Sequence, residues 1–182
     1  MTFKKLGNYR IFLVSNSVLA FAMGLFMPFW IIFLQDFGSI EQFGFALGLM
    51  LFAQSVTSYF VGKYSDKLGR KVFLIIGGFI LSFVVLAYTL ITSLFHLYML
   101  QIVNGIINSI QMTIETTFLG DITKKVSRGV NIGKYHAIVG IMAAVSMMIS
   151  GFIVGQLGVK IIFYITSLII FFSTLILFYI KE

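Results

Sequence analysis

The sequence predicts an all-α, polytopic membrane helix bundle: one domain over residues 1–182, six transmembrane helices, both termini cytoplasmic. Three observations predict it. Hydrophobic residues make up 59% of the chain and charged residues 10%, with a mean hydropathy of +1.04. A soluble globular chain carries about 25% charged residues, so a lipid bilayer is the solvent that suits this one. Apolar runs recur at lengths near the roughly 20 residues that cross a hydrocarbon core. Basic residues fall almost wholly in alternate connections, which orients the bundle.

The first run, 11–34, follows Lys4, Lys5 and Arg10, a start like that of a secretory signal. It is too long for a signal's apolar region and has no small-residue cleavage site, so it is read as a membrane helix. Asn16, Met23, Met27 and Trp30 lie along it at helical spacing, and Gly24 and Pro28 serve either a kink or packing. Trp30, near the outer end, is equally an interfacial anchor. The second run, 45–61, carries Gln54, Thr57 and Ser58, with Gly44 and Gly48 at its start. The third, 72–92, and the sixth, 161–180, have only scattered hydroxyls, among them Ser82, Thr166, Ser167, Ser173 and Thr174, and suit a lipid-facing position. The fifth, 137–157, aligns Gly140, Ala144, Gly151 and Gly155 near one face. Small residues let helices approach closely in lipid, either inside one bundle or against a second.

The fourth run, 97–119, differs from the rest. Its stretch "QIVNGIINSIQMTIE", 101–115, puts Gln101, Asn104, Asn108, Gln111 and Glu115 at steps of three and four. Those steps share one helix face. Amides facing lipid find no hydrogen-bond partner, and a carboxylate in the membrane costs at least about 2.5 kcal/mol. The stripe therefore faces protein or water. It is either an interhelical hydrogen-bond ladder, with Glu115 bridged to a loop Lys or Arg, or a solvated substrate path with Glu115 as its coupling group.

The connections carry the orientation. Lys63, Lys67, Arg70, Lys71, Lys124, Lys125, Arg128, Lys134 and Lys181 join the three N-terminal bases on one side, and Lys160 stands alone on the other with Asp36, Glu41 and His96. The rule that bases stay inside puts both termini in the cytoplasm. The net charge of +7 therefore answers anionic lipid, and no nucleic-acid partner is expected. Cysteine is absent, which excludes disulfides and thiolate metal sites. His96 and His136 lie far apart, and no nucleophile–base set or Walker-type loop occurs. No metal, cofactor or enzymatic activity is expected.

The connection "GKYSDKLGRK", 62–71, is the most specific signal. Gly62 is placed to end a helix in a left-handed conformation. Asp66 and Arg70, four apart, can pair, and Gly69 lets the backbone reverse. The stretch resembles the signature loop between helices two and three of the major facilitator superfamily, G-x-x-x-D-x-x-G-R-K, with Gly62, Asp66, Gly69, Arg70 and Lys71 all matching. "GLFMPFWIIFLQDFG", 24–38, resembles that family's first helix and "GDITKKVSRGVNIG", 120–133, its fourth-to-fifth loop. The six-helix pattern is similar to the family's N-terminal half.

The resemblance implies a conformational latch, in which Asp66 and Arg70 join an acidic residue at the inner end of helix four. Asp121 matches that position. A carboxylate at a helix C-terminus opposes the dipole by about 0.3–1 kcal/mol, so Asp121 should seek a base, Arg70 or Arg128. The resemblance further implies that helices one and four line a central cavity, two and five flank a second bundle, and three and six lie outside. Two positions depart from the family's drug antiporters. Gln101 stands where they carry Arg, and Met147, in "SMMISG" (146–151), stands where they carry Pro.

The expected function is secondary-active transport of small organic solutes across the plasma membrane, efflux included, by alternating access with a second six-helix bundle. That bundle is a second copy, a separate chain, or missing from a truncated product. The expected cavity and coupling residues are Gln101, Asn104, Asn108, Gln111, Glu115, Asn16, Met23, Met27, Trp30 and Gln54. The expected latch is Gly62, Asp66, Gly69, Arg70, Lys71, Asp121 and Arg128. The competing classes are a non-transporting six-helix scaffold or regulatory subunit, and an oligomeric pore.

Overall fold

The computed structural model describes residues 3–34, 38–123 and 125–181, without the side chains of residues 3–5, 34 and 125. Of the charges used for orientation, Lys4, Lys5, Asp36, Lys124 and Lys125 lie outside the described side chains. Six helices account for nearly all of it: α1 (Phe3–Leu34), α2 (Ile40–Leu68), α3 (Arg70–Tyr88), α4 (Leu94–Ile122), α5 (Arg128–Leu157) and α6 (Val159–Ile176). Short 3₁₀ turns precede α5 and follow α6. No strand occurs among the described residues.

Most helices outrun the apolar segments read from sequence. α1 begins eight residues earlier and α5 nine residues earlier than the hydrophobic boundary, whereas α3 stops at Tyr88 rather than 92. α2 runs straight through Gly62 and ends at Leu68. The expectation that Gly62 ends a helix is thus corrected. The positive φ lies at Gly69, φ 90°, and one such residue suffices for the reversal into α3. Gly158, φ 81°, makes the matching turn between α5 and α6. Among the described residues, five helices are long and apolar enough to cross a membrane. The exception is α4, at 29 residues long enough but diluted by the amides of its stripe.

Helix neighbours follow a clear order. α2 packs on α4, α4 touches α1, and α1 packs on α5, giving a front row α2–α4–α1–α5. Behind it α3 packs on α4 and α6, and α6 packs on α1. Two front contacts are made at glycine. A Cβ on Gly24 of α1 would collide with the Ala143 carbonyl and Ser146 Oγ of α5, and one on Gly105 of α4 with the Met50 carbonyl of α2.

The scattered hydroxyls of α3 and α6 do not face lipid. Ser82 Oγ donates to the Ser167 carbonyl at 2.9 Å and Ser167 Oγ to the Ser82 carbonyl at 2.9 Å. Ser15 and Ser173 repeat the exchange between α1 and α6 at 2.9 and 2.8 Å. Both pairs are buried. In an apolar interior such reciprocal bonds leave no donor unmet. Apart from Lys160 and Tyr164 near the start of α6, what α3 and α6 turn outward is apolar, including Ile76, Phe83, Leu168 and Phe172.

Two apolar clusters fill the bundle. One gathers Phe26, Trp30, Phe33, Tyr88 and Phe163, and the other Phe12, Ile114, Phe118, Tyr135 and Leu177. At the second end the polar termini knit together. Asn8 Nδ2 donates to the Lys181 carbonyl at 2.7 Å, and Lys71 Nζ to the carbonyls of Phe178 and Ile180 at 2.9 and 2.6 Å. A cation is well placed on carbonyls at a helix C-terminus.

Candidate functional site

A cavity of about 240 Å³ opens between α1, α2, α3 and α4. Met23, Phe26, Met27 and Trp30 line it from α1, Leu47 and Met50 from α2, Leu81, Val85 and Tyr88 from α3, and Asn104 and Asn108 from α4. The i, i+3, i+4, i+7 spacing of 23, 26, 27 and 30 sets one strip of α1 against it. The 104–108 step does the same for α4. No Asp, Glu, Lys, Arg or His lines it among the described residues. Its size falls just under the roughly 300–1,000 Å³ of ordinary small-molecule sites.

Its polar groups are only weakly satisfied. Asn104 Nδ2 and Asn108 Nδ2 reach the Met50 sulfur at 3.6 and 3.7 Å. A thioether is a weak acceptor. Trp30 is 8% exposed, and its indole Nε1 lies beside the Tyr88 hydroxyl without the geometry of a good hydrogen bond. The Tyr88 hydroxyl faces Trp30 and Asn104 and donates to Gln101 Oε1 at 2.9 Å.

The polar stripe of α4 therefore divides. Asn104 and Asn108 line the cavity; Gln101, fully buried, sits behind Tyr88 and outside the lining. Gln111 is half-buried one turn further along. Glu115 Oε1 accepts from the Tyr135 hydroxyl of α5 at 3.0 Å. No Lys or Arg pairs with Glu115 among the described residues; the partner found there is a phenol. Asn16 donates to the Phe12 carbonyl of its own helix at 3.1 Å, and Gln54 Nε2 to the Met112 sulfur at 3.2 Å. Neither lines the cavity. The wall supplied by α3 departs from the expectation that helix three lies wholly outside. Tyr88 carried the one usable signal, a phenol closing an otherwise apolar helix. Nothing in the sequence singled out Met50.

The signature loop forms a compact charge cluster. Arg70 Nη2 contacts Asp66 Oδ1 at 3.2 Å, and Arg70 Nη1 pairs with Asp121 Oδ2. Asp66 and Asp121 end α2 and α4, and Arg70 begins α3, so each charge opposes its own helix dipole. Together they compensate. Arg128 takes another route: its Nη2 donates to the Gly120 carbonyl at 2.8 Å. Lys71 points to the end of α6, as above, and the nearest neighbour of an added Gly62 Cβ would be the Thr113 methyl at 3.8 Å.

The family model of the Major Facilitator Superfamily matches residues 12–182. The chain belongs to the major facilitator superfamily. It is an integral membrane protein of helical-bundle fold. It is similar to the uncharacterised MFS-type transporter YitZ of Bacillus subtilis, 29% identical over 158 residues, covering 86% of this chain and 96% of that protein. It is also similar to multidrug resistance protein 2 of the same organism, 29% identical over 161 residues, 87% of this chain and 40% of that protein. Quinolone resistance protein NorA of Staphylococcus aureus is 27% identical over 166 residues, 84% of this chain and 43% of its own length. The chain thus spans less than half of these two longer superfamily members.

Proposed function

We propose that the chain is one six-helix bundle of a secondary-active transporter. It moves small organic solutes by alternating access with a second six-helix bundle, in the direction of efflux, in the plasma membrane with both termini cytoplasmic. The observation that carries this reading is the cavity. A bundle built only for stability has no use for two half-satisfied amides and a poorly paired indole N–H beside thioethers, since poorly satisfied buried polar groups cost stability. The names of two relatives refer to resistance, which supports export. In the family, alternating access is rocking of two bundles around a shared site. The Asp66–Arg70–Asp121 cluster supplies breakable charge contacts at one end. Glu115, held by Tyr135, is the candidate coupling group.

The test is transport by the purified chain in liposomes, using neutral and cationic organic dyes under an imposed proton gradient. Dye movement that collapses when the gradient is dissipated is expected. Correctly inserted protein that forms a two-bundle assembly and still moves no dye would overturn the proposal in favour of a scaffold or regulatory subunit. Single-channel conductance would favour a pore.

A further inference from the structure

The lining of the cavity carries chemical information about its occupant. Among the described residues that line it, none carries a formal charge of either sign. An ion entering it would lose water without meeting a counter-charge, and an unpaired buried charge is expensive. The aromatic faces of Phe26, Trp30 and Tyr88 can attract a cation, but by only about 0.5–2 kcal/mol. Charge is therefore selected against.

The buried polar atoms add a second constraint. Trp30 borders the space and is more than nine-tenths buried, and its Nε1 makes no well-formed hydrogen bond, with only the Tyr88 hydroxyl beside it. Gln101 Nε2, directly behind Tyr88, is buried and has none either. Both orphans are N–H donors. The Asn104 and Asn108 amides each direct an N–H to the Met50 sulfur and would exchange it for an oxygen acceptor, which binds an N–H better. The apolar remainder comes from Met23, Met27 and Met50, flexible side chains that adapt to varied shapes.

We propose that this cavity binds uncharged, ring-sized organic molecules, or the uncharged ring end of larger ones, through a carbonyl- or ether-type oxygen that accepts from the Trp30 indole N–H. The inference rests on reading the cavity as the substrate site, and it names the class of substrate.

Trp30 is the one tryptophan of the chain, so it reports on the cavity alone. The full chain in nanodiscs is titrated with three phenyl probes of similar bulk: N,N-dimethylbenzamide (neutral, with an acceptor), tert-butylbenzene (neutral, without) and phenyltrimethylammonium (cationic). Binding is read from Trp30 emission. Hydrogen bonding is read from the single indole N–H resonance of tryptophan-labelled protein. The amide probe is expected to bind about tenfold tighter than the other two, the scale of one hydrogen bond to a buried donor, and to move the indole proton downfield. Asn104→Leu should weaken the amide probe while leaving tert-butylbenzene unchanged or tighter.

Equal or tighter binding of the cation would overturn the proposal, as would an indole resonance indifferent to the amide. Binding is measured without transport, so the two readings fail separately. Dye transport with no amide preference leaves the transporter and removes the substrate class. An amide preference without transport does the reverse.

Discussion

At the scale of single residues, the contact between Glu115 and Tyr135 is the most consequential. The carboxylate takes a hydrogen bond at 3.0 Å from a fully buried phenol on the neighbouring helix. Gln at 115 keeps an oxygen in that place, so Glu115→Gln should insert and fold normally. If Glu115 couples transport to protons, the same variant should lose the response of dye movement to a proton gradient. Tyr135→Phe leaves the carboxylate unmet and should weaken coupling less, with some loss of thermal stability. A gradient response unchanged in Glu115→Gln would make the residue a structural link between α4 and α5. Helical periodicity placed Gln101 to Glu115 on one face, and the structure keeps them there. Periodicity says nothing of what stands opposite. Tyr88 covers Gln101 and Tyr135 covers Glu115, while Asn104 and Asn108 are left to the cavity, so one stripe has three environments.

At the scale of helices, α4 approaches α2, and α1 approaches α5, by giving up side chains at Gly105 and Gly24. Pro28 sits four residues after Gly24, and a proline inside a helix removes the N–H that the earlier carbonyl would accept. α1 nonetheless continues through it. Gly105→Val would drive a branched side chain into the Met50 carbonyl, and overpacking of this kind costs about 1–3 kcal/mol. Lower thermal stability of the detergent-solubilised protein is the expected readout. Gly155→Val should leave the stability of the single bundle unchanged, because nothing in that bundle lies within 4 Å of a Cβ there. Sequence alone left open whether the small residues of α2 and α5 pack inside the bundle. Gly44, Gly48, Gly140, Gly151 and Gly155 all meet open space, so inside this bundle they do not. The charge cluster belongs to this scale as well, since it ties three helix ends. Its partners are largely exposed, with side-chain accessibilities of 61% for Asp121 and 66% for Asp66. Exposed pairs contribute about 0–1 kcal/mol. Asp121→Asn should therefore barely move thermal stability yet slow dye transport if the cluster is a latch. Unimpaired transport would make it an idle remnant of the loop.

At the scale of the whole molecule, the order α2–α4–α1–α5 of the front row decides how a second bundle can sit. The cavity opens between α1 and α4 and their neighbours, so a partner completing it must face that row. An axis along the membrane normal relates the two bundles of superfamily transporters. Such an axis in front of α4 and α1 sets α2 of one bundle against α5 of the other. Both helices are the least buried of the six, and both turn exposed glycines outward. If the second bundle is a second copy of this chain, residues at matching depth on α2 and α5 must meet across the interface. Gly48 lies eight residues from the Ile40 end of α2, and Gly151 six from the Leu157 end of α5. The chain has no cysteine of its own, which makes the experiment clean. Gly48→Cys combined with Gly151→Cys should give, with a short bifunctional thiol reagent in native membranes, a product of twice the chain's mass. Cysteines at Phe83 and Leu168, on the back row, should not. Cross-linking of the back row alone would put the contact on the wrong side of the bundle. A monomer that still moves dye would remove the requirement for a partner. A product of other mass, formed through the front pair, would identify a separately encoded second half.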